Sequence, residues 1–126
     1  PMIEDDILPL LEAAVDKGLA GYQINIGTGT CICVVLASAG YPGNYEKGKP
    51  IRGLDKLNPE TIVFHSGTAR KDGQLVTNGG RVLALTVRGN TMEEAIDQVY
   101  REIKKVYFEG MHYRTDIGSK SLRRSI

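Results

Sequence analysis

Apolar residues recur at helical spacing only near the two ends of this chain, and everything between reads as strand and turn. That arrangement constrains the fold more than any other feature. Ile7, Leu10, Leu11, Ala14 and Val15 follow an i, i+3, i+4, i+7, i+8 pattern, which predicts an amphipathic helix over about 6–17. Asp5 or Asp6 is placed to cap it, Pro9 falls in the first turn, and Gly18 is the expected stop. Thr91 and Glu94 form a T-x-x-E capping box, followed by Met92, Ala95, Ile96, Val99, Ile103 and Val106 on one stripe. This predicts a second helix over about 92–108, with Gly110 ending it.

Between the helices, Tyr22–Ile26 and Thr30–Ser38 flank Gly27-Thr28-Gly29 and read as a hairpin. The second of these strands is apolar on both faces, which predicts burial on both sides. Residues 39–58 read as a long loop with one short strand near Pro50 and Ile51. Thr61–His65 reads as a strand. Gln74–Thr77 and Arg81–Val87 read as a pair, with Asn78-Gly79-Gly80 supplying positive φ for a tight turn. Helix, several strands, helix predicts an α+β domain built on a mainly antiparallel, barrel-like β-sheet.

The 126 residues amount to one domain, and 41% hydrophobic with 25% charged composition is ordinary for a folded chain. The longest apolar run, Cys31 to Ala37, is strand-sized, and no secretory leader opens the chain. A cytoplasmic location with no membrane partner is therefore expected. The formal net charge of +1 gives no global field for nucleic acid. Charge is unevenly spread, acidic over 1–29 and basic over 30–89 and 101–126, which fits either a solvated surface or one that meets phosphate. Cys31 and Cys33 lie two apart on one strand, badly placed for a disulfide. A zinc set would have to gather His65 and His112 from distant segments, so two reduced cysteines and no metal site are expected.

Three segments combine glycine with polar and basic groups that a core does not need. Gly40-Tyr41-Pro42-Gly43-Asn44-Tyr45-Glu46-Lys47-Gly48 is either a rigid turn or a ligand loop. Phe64-His65-Ser66-Gly67-Thr68-Ala69 is either a capped turn or a strand end whose free amides meet an anion. Thr77-Asn78-Gly79-Gly80-Arg81 is either a plain hairpin or a support for Arg81, which could hold a phosphate bidentately. No P-loop, G-x-G-x-x-G, H-E-x-x-H or Ser/His/Asp set is present.

In order and spacing these segments, with Val34-Val35-Leu36-Ala37-Ser38, Leu75-Val76, Val82-Leu83, Phe108-Glu109-Gly110-Met111-His112-Tyr113-Arg114 and Asp116-Ile117-Gly118, resemble the C-terminal domain of the phosphoribosylamine–glycine ligase family. The resemblance covers essentially the whole chain. Ser66 stands where the family more often has Ala, and the tail 119–126 follows the pattern poorly.

The resemblance implies an ATP-grasp ligase that joins glycine to 5-phosphoribosylamine in purine biosynthesis. ATP would be consumed through a glycyl phosphate, with Mg2+ or Mn2+ as the metal. It also implies that the N-terminal and ATP-grasp parts, which hold ATP and metal, precede the segment matching Pro1. Residues 1–126 are then a single C-terminal domain, inactive alone, whose partners are the rest of the ligase chain and its small-molecule substrates. Lys47, Thr77, Asn78, Gly80 and Arg81 are the implied phosphoribosylamine-side residues, with Glu46, His65, Gly67 and Thr68 lining the same cleft. The alternative is an anion-binding module without catalytic activity.

Overall fold

The computed structural model describes residues 1–122. Its centre is a three-stranded antiparallel sheet. Strand β1 (Thr30–Ala37) and strand β2 (Ile62–His65) both pair with β5 (Arg81–Gly89), which lies between them. A separate antiparallel ribbon joins β3 (Thr68–Lys71) to β4 (Gln74–Thr77). Helix α1 (Ile7–Val15) precedes the strands, helix α2 (Met92–Ile103) follows β5, and a short α3 (Ser119–Leu122) comes last.

Register explains the core. Ile32, Val34 and Leu36 stand opposite Val87, Leu85 and Leu83, and directly paired residues share a face. Ala95, Val99 and Ile103 of α2 cover that face, and Val106 and Phe108 complete the buried cluster. Each large side chain so buried is worth about 1.5–3 kcal/mol of transfer free energy. Thr91 caps α2 by accepting the Glu94 N–H at 3.2 Å. Glu94 in turn accepts the Asn90 N–H at 3.1 Å.

The antiparallel α+β class holds, but the strands do not close into a barrel. The sheet stops at β1 and β2, and the β3–β4 ribbon stands apart from it. The face of β1 turned from α2 is open, with Cys33 and Val35 exposed, so burial on both sides is not what this strand experiences. An apolar run records that both faces suit a dry environment, and α2 supplies only one such face.

The expected hairpin before β1 is absent. Ile26 bridges Ile3 instead, and the Gly27 N–H donates to Met2 O at 2.8 Å. The expected β4–β5 pairing is also absent. β4 turns back on β3 through Asp72 (φ 49°) and Gly73 (φ 78°), the positive pair that a two-residue hairpin demands. Gly79 and Gly80 take no positive φ. α2 stops at Ile103, earlier than 108, because Tyr107 and Arg52 exchange two backbone hydrogen bonds at 2.9 and 3.0 Å. In α1, Asp6 is the cap, and Asp5 accepts from the backbone and side chain of Asn25. Lys17 (φ 59°), not Gly18, takes the left-handed position at its end. Among the described residues no helix is long and apolar enough to cross a membrane. Arg123 to Ile126 of the basic tail lie outside the described residues.

Candidate functional site

The three glycine-bearing segments meet in one junction held by backbone. The Asn78 N–H donates to Gly67 O at 2.7 Å, and the Ser66 and Gly67 N–H groups both donate to Val82 O. The Gly48 N–H donates to Thr77 O, the Thr77 N–H to Lys49 O, and the Lys49 N–H to Thr77 Oγ1 at 3.1 Å. The Ser38 N–H donates to Gly80 O at 2.8 Å, and its hydroxyl donates to Gly79 O at 2.9 Å. Glycine is required here by crowding. A Cβ on Gly80 would sit 2.0 Å from the Tyr41 ring, and one on Gly67 would sit 2.6 Å from the Gly79 Cα.

The predicted residues are neighbours through this junction, but among the described residues Arg81 and Glu46 line separate clefts. Thr77 and Gly80 are buried and serve the junction itself. His65 Nδ1 lies 3.1 Å from Thr68 Oγ1, an exposed local pair. Lys47, Asn78 and Arg81 are exposed. Arg81 lines a cleft of about 240 Å3 on one side of β1, whereas Glu46 lines a different one of about 100 Å3 with Ser38, Lys49 and Glu109.

Lys49 organises the smaller cleft. Its ammonium meets Glu46 Oε2 at 2.7 Å and Glu109 Oε1 at 3.1 Å, and its side chain is 24% exposed. The hydrogen bonds from Glu46 and then Glu109 hold the ammonium above its ordinary pKa, and the bond to Lys49 holds the Glu46 carboxyl below its own. Glu46 remains largely exposed and is tied to Lys49 by this surface ion pair.

Sequence reasoning assigned none of Lys49, Glu109, His112 and Arg114 to the site, although 108–114 stood among the family segments. The signal for Lys49 was its i, i+3 spacing from Glu46. Glu109 and Arg114 lie in the family segment 108–114, but no local pattern marked their partners, Lys49 sixty residues away and Asp116 across a turn. Cys31 and Cys33 are free thiols. Among the described residues no three His, Cys, Asp or Glu side chains gather to hold a metal.

Residues 31–120 match the family model described as phosphoribosylglycinamide synthetase, C domain. The phosphoribosylamine–glycine ligase of Caldanaerobacter subterraneus subsp. tengcongensis is 42% identical over 119 residues, covering 94% of this chain and 28% of that protein. The Rhizobium meliloti protein of the same name is 45% identical over 122 residues, covering 97% of this chain and 29% of that protein. A crystal structure of phosphoribosylamine–glycine ligase from Thermotoga maritima superposes with a TM-score of 0.68 at 44% identity, over 84% of this chain and 27% of that one. The chain therefore spans under a third of the length of these relatives, and, matched by the family model over residues 31–120, it belongs to the phosphoribosylglycinamide synthetase C-domain family.

Proposed function

We propose that this chain acts as the C-terminal domain of a phosphoribosylamine–glycine ligase and contributes to binding phosphoribosylamine. The whole reaction joins the glycine carboxylate to the amine of 5-phosphoribosylamine, with ATP going to ADP and phosphate through a glycyl phosphate. Activation of the carboxylate by ATP and metal belongs to other parts of such an enzyme, and no step of it is assigned to residues of this chain. The domain's share is binding and orientation, which brings the amine to the acyl phosphate at high effective concentration.

The observation that carries this reading is the glycine junction, where three family segments converge and Arg81 leaves on a rigid strand. Lys47, Thr77, Asn78, Gly80 and Arg81 form the phosphoribosylamine side. Gly67 and Thr77 shape it from within, His65 and Thr68 border it, and Glu46 acts through Lys49. Its partners are those small substrates and the rest of the ligase, in the cytoplasm.

The test replaces the corresponding domain of the Thermotoga maritima ligase with residues 1–126. The graft is expected to turn over ATP, glycine and phosphoribosylamine, and the 126-residue chain alone is not. Arg81→Ala in the graft is expected to raise KM for phosphoribosylamine more than it lowers kcat. Turnover by the chain alone, or a folded but inactive graft, overturns the reading.

A further inference from the structure

Two thiols stand at the opposite end of β1 from the glycine junction, and the ligase reading uses neither. Cys31 and Cys33 are two apart on the strand, so their side chains leave the same face of the sheet, the one turned from α2. Both are free, Cys31 half-buried and Cys33 exposed. The β1–β5 register runs without a shift at this pair. The strand rise therefore sets the two Cβ atoms about 6.6 Å apart, whereas a disulfide needs about 3.5–4.5 Å. The backbone thus blocks a direct sulfur–sulfur bond. The same gap suits an inserted ion. Two metal–sulfur bonds of about 2.3 Å in line span about 4.6 Å, and a lean of about 1 Å by each sulfur along the strand closes the rest.

The neighbouring strand supplies two further groups to this face. Thr86 stands opposite Cys33 and Arg88 opposite Cys31, and such pairs share a face with Cβ atoms about 4.5–5.5 Å apart. Ile62 of β2 flanks Thr86 on its other side. Thr86 is 2% exposed, and its hydroxyl has no hydrogen-bond partner among the described residues. A buried hydroxyl without a partner is costly, because its lost hydration is not replaced. An anionic sulfur opposite it would accept that bond. Arg88 brings a positive charge beside the other thiol. Its one ion pair among the described residues is to Glu4 at 3.9 Å, too long for a hydrogen bond, so guanidinium N–H groups remain for a further anion.

The donor set selects the ion. Paired thiolates are soft ligands that favour copper(I) or zinc. Zinc sites in proteins are four-coordinate, and among the described residues no third His, Cys, Asp or Glu joins the pair. Copper(I) accepts two sulfurs in line. We propose that Cys31 and Cys33 form a two-coordinate site for copper(I), with the Thr86 hydroxyl donating to the Cys33 sulfur and Arg88 offsetting the charge. Each thiol releases its proton to solvent, no electron is transferred, and the complex of two thiolates with the monovalent ion carries one negative charge. Thr86 and Arg88 are positioning residues. The site stands or falls independently of the ligase reading.

The test titrates the reduced 126-residue chain with copper(I) without oxygen, against a chromogenic copper(I) chelator, and reads the bound ion by X-ray absorption. One copper per chain with two sulfur neighbours is expected, at an unchanged elution volume on a sizing column. Cys31→Ser and Cys33→Ser are each expected to lose about 100-fold or more in affinity, since a hydroxyl oxygen is a poor ligand for a soft ion. Arg88→Gln and Thr86→Val are each expected to lose about tenfold, the scale of a group that supports a ligand. Thr86→Val keeps the side-chain shape and removes the unpaired hydroxyl, so its metal-free form is expected to fold at least as stably. A merely structural role for Thr86 would leave its copper affinity unmoved. Amide NMR spectra of the metal-free variants show that each has folded. Unchanged affinity in either folded cysteine variant overturns the site, as do neighbours other than two sulfurs or a copper-dependent dimer. Equal competition by zinc overturns the choice of ion. Unchanged affinity in Arg88→Gln and Thr86→Val overturns their roles. Copper held no more tightly than by free cysteine overturns the proposal outright.

Discussion

Two helices with apolar residues at helical spacing sit in opposite environments. α1 places Ile7, Leu10, Leu11, Ala14 and Val15 on one stripe, yet none of its residues is buried, and Val15 is 81% exposed. α2 carries a similar stripe and buries Ala95, Val99, Glu102 and Ile103. The difference lies outside the helices. α2 follows β5 after only Asn90 and Thr91, so it folds straight back onto the face that holds Leu83, Leu85 and Val87. Fourteen residues separate α1 from β1, from Asp16 to Gly29, and the short Leu19–Gly21 turn is a main neighbour of α1. Helical spacing shows that a helix has a face to cover, and the neighbouring chain decides whether the cover is present.

The largest expected effect tests whether α2 holds the core. Ile103→Ala leaves a cavity at a fully buried site and is expected to cost about 2–5 kcal/mol in chemical denaturation. A loss under about 1 kcal/mol would break the contrast at its strong end.

Next comes the buried carboxylate of α2. Burial pushes the Glu102 pKa up, but the Lys105 ammonium at 2.6 Å and the Asn58 N–H at 2.9 Å outweigh it, and the net direction is below the ordinary 4.5. A folded pKa below the unfolded one means that the stabilisation is present above the unfolded pKa. It is lost as pH falls through the folded value. Denaturation midpoints are expected to fall as the pH drops below about 4.5, and Glu102→Gln is expected to flatten part of that fall. Parallel pH profiles for the two proteins would remove Glu102 from acid unfolding.

The caps give a smaller and sharper comparison. Thr91→Ala removes the acceptor of the Glu94 N–H and is expected to cost about 1 kcal/mol. Asp6→Ala removes the equivalent acceptor of the Leu8 N–H in α1. It is expected to shift global stability by less, because an end helix off the core frays locally.

The smallest effect is the most diagnostic. Leu11→Ala in α1 is expected to change stability by no more than about 0.5 kcal/mol. In the grafted ligase a larger cost would show that the α1 face is covered there. A cost in the chain alone equal to that of Ile103→Ala would abolish the distinction between the helices.

The glycine segments of the candidate site were legible for the same reason that the start of α2 was. Gly48, Gly67, Gly79 and Gly80 with their polar neighbours carry local signals, and they do converge. Their reason for being glycine was misread at 79 and 80. Positive φ is needed at Asp72-Gly73, whereas Gly80 makes room for a ring nearly forty residues away. The cleft itself was not legible. Arg81 and Arg114 are brought together by the Ala37–His112 bridge, and no spacing in the chain encodes that bridge.

By itself the sequence determined what depends on a few adjacent residues: the T-x-x-E cap, the helical stripes, the strand-length runs, the α+β class and the ordered family segments. Caps, propensity and periodicity act within one or two turns, so they can be read in place. The tertiary structure alone decided which strands pair, which face of β1 is covered, and that Arg81 lines a cleft with residues 112–114. Those outcomes follow from β5 pairing with both β1 and β2, a choice made by long-range register and burial.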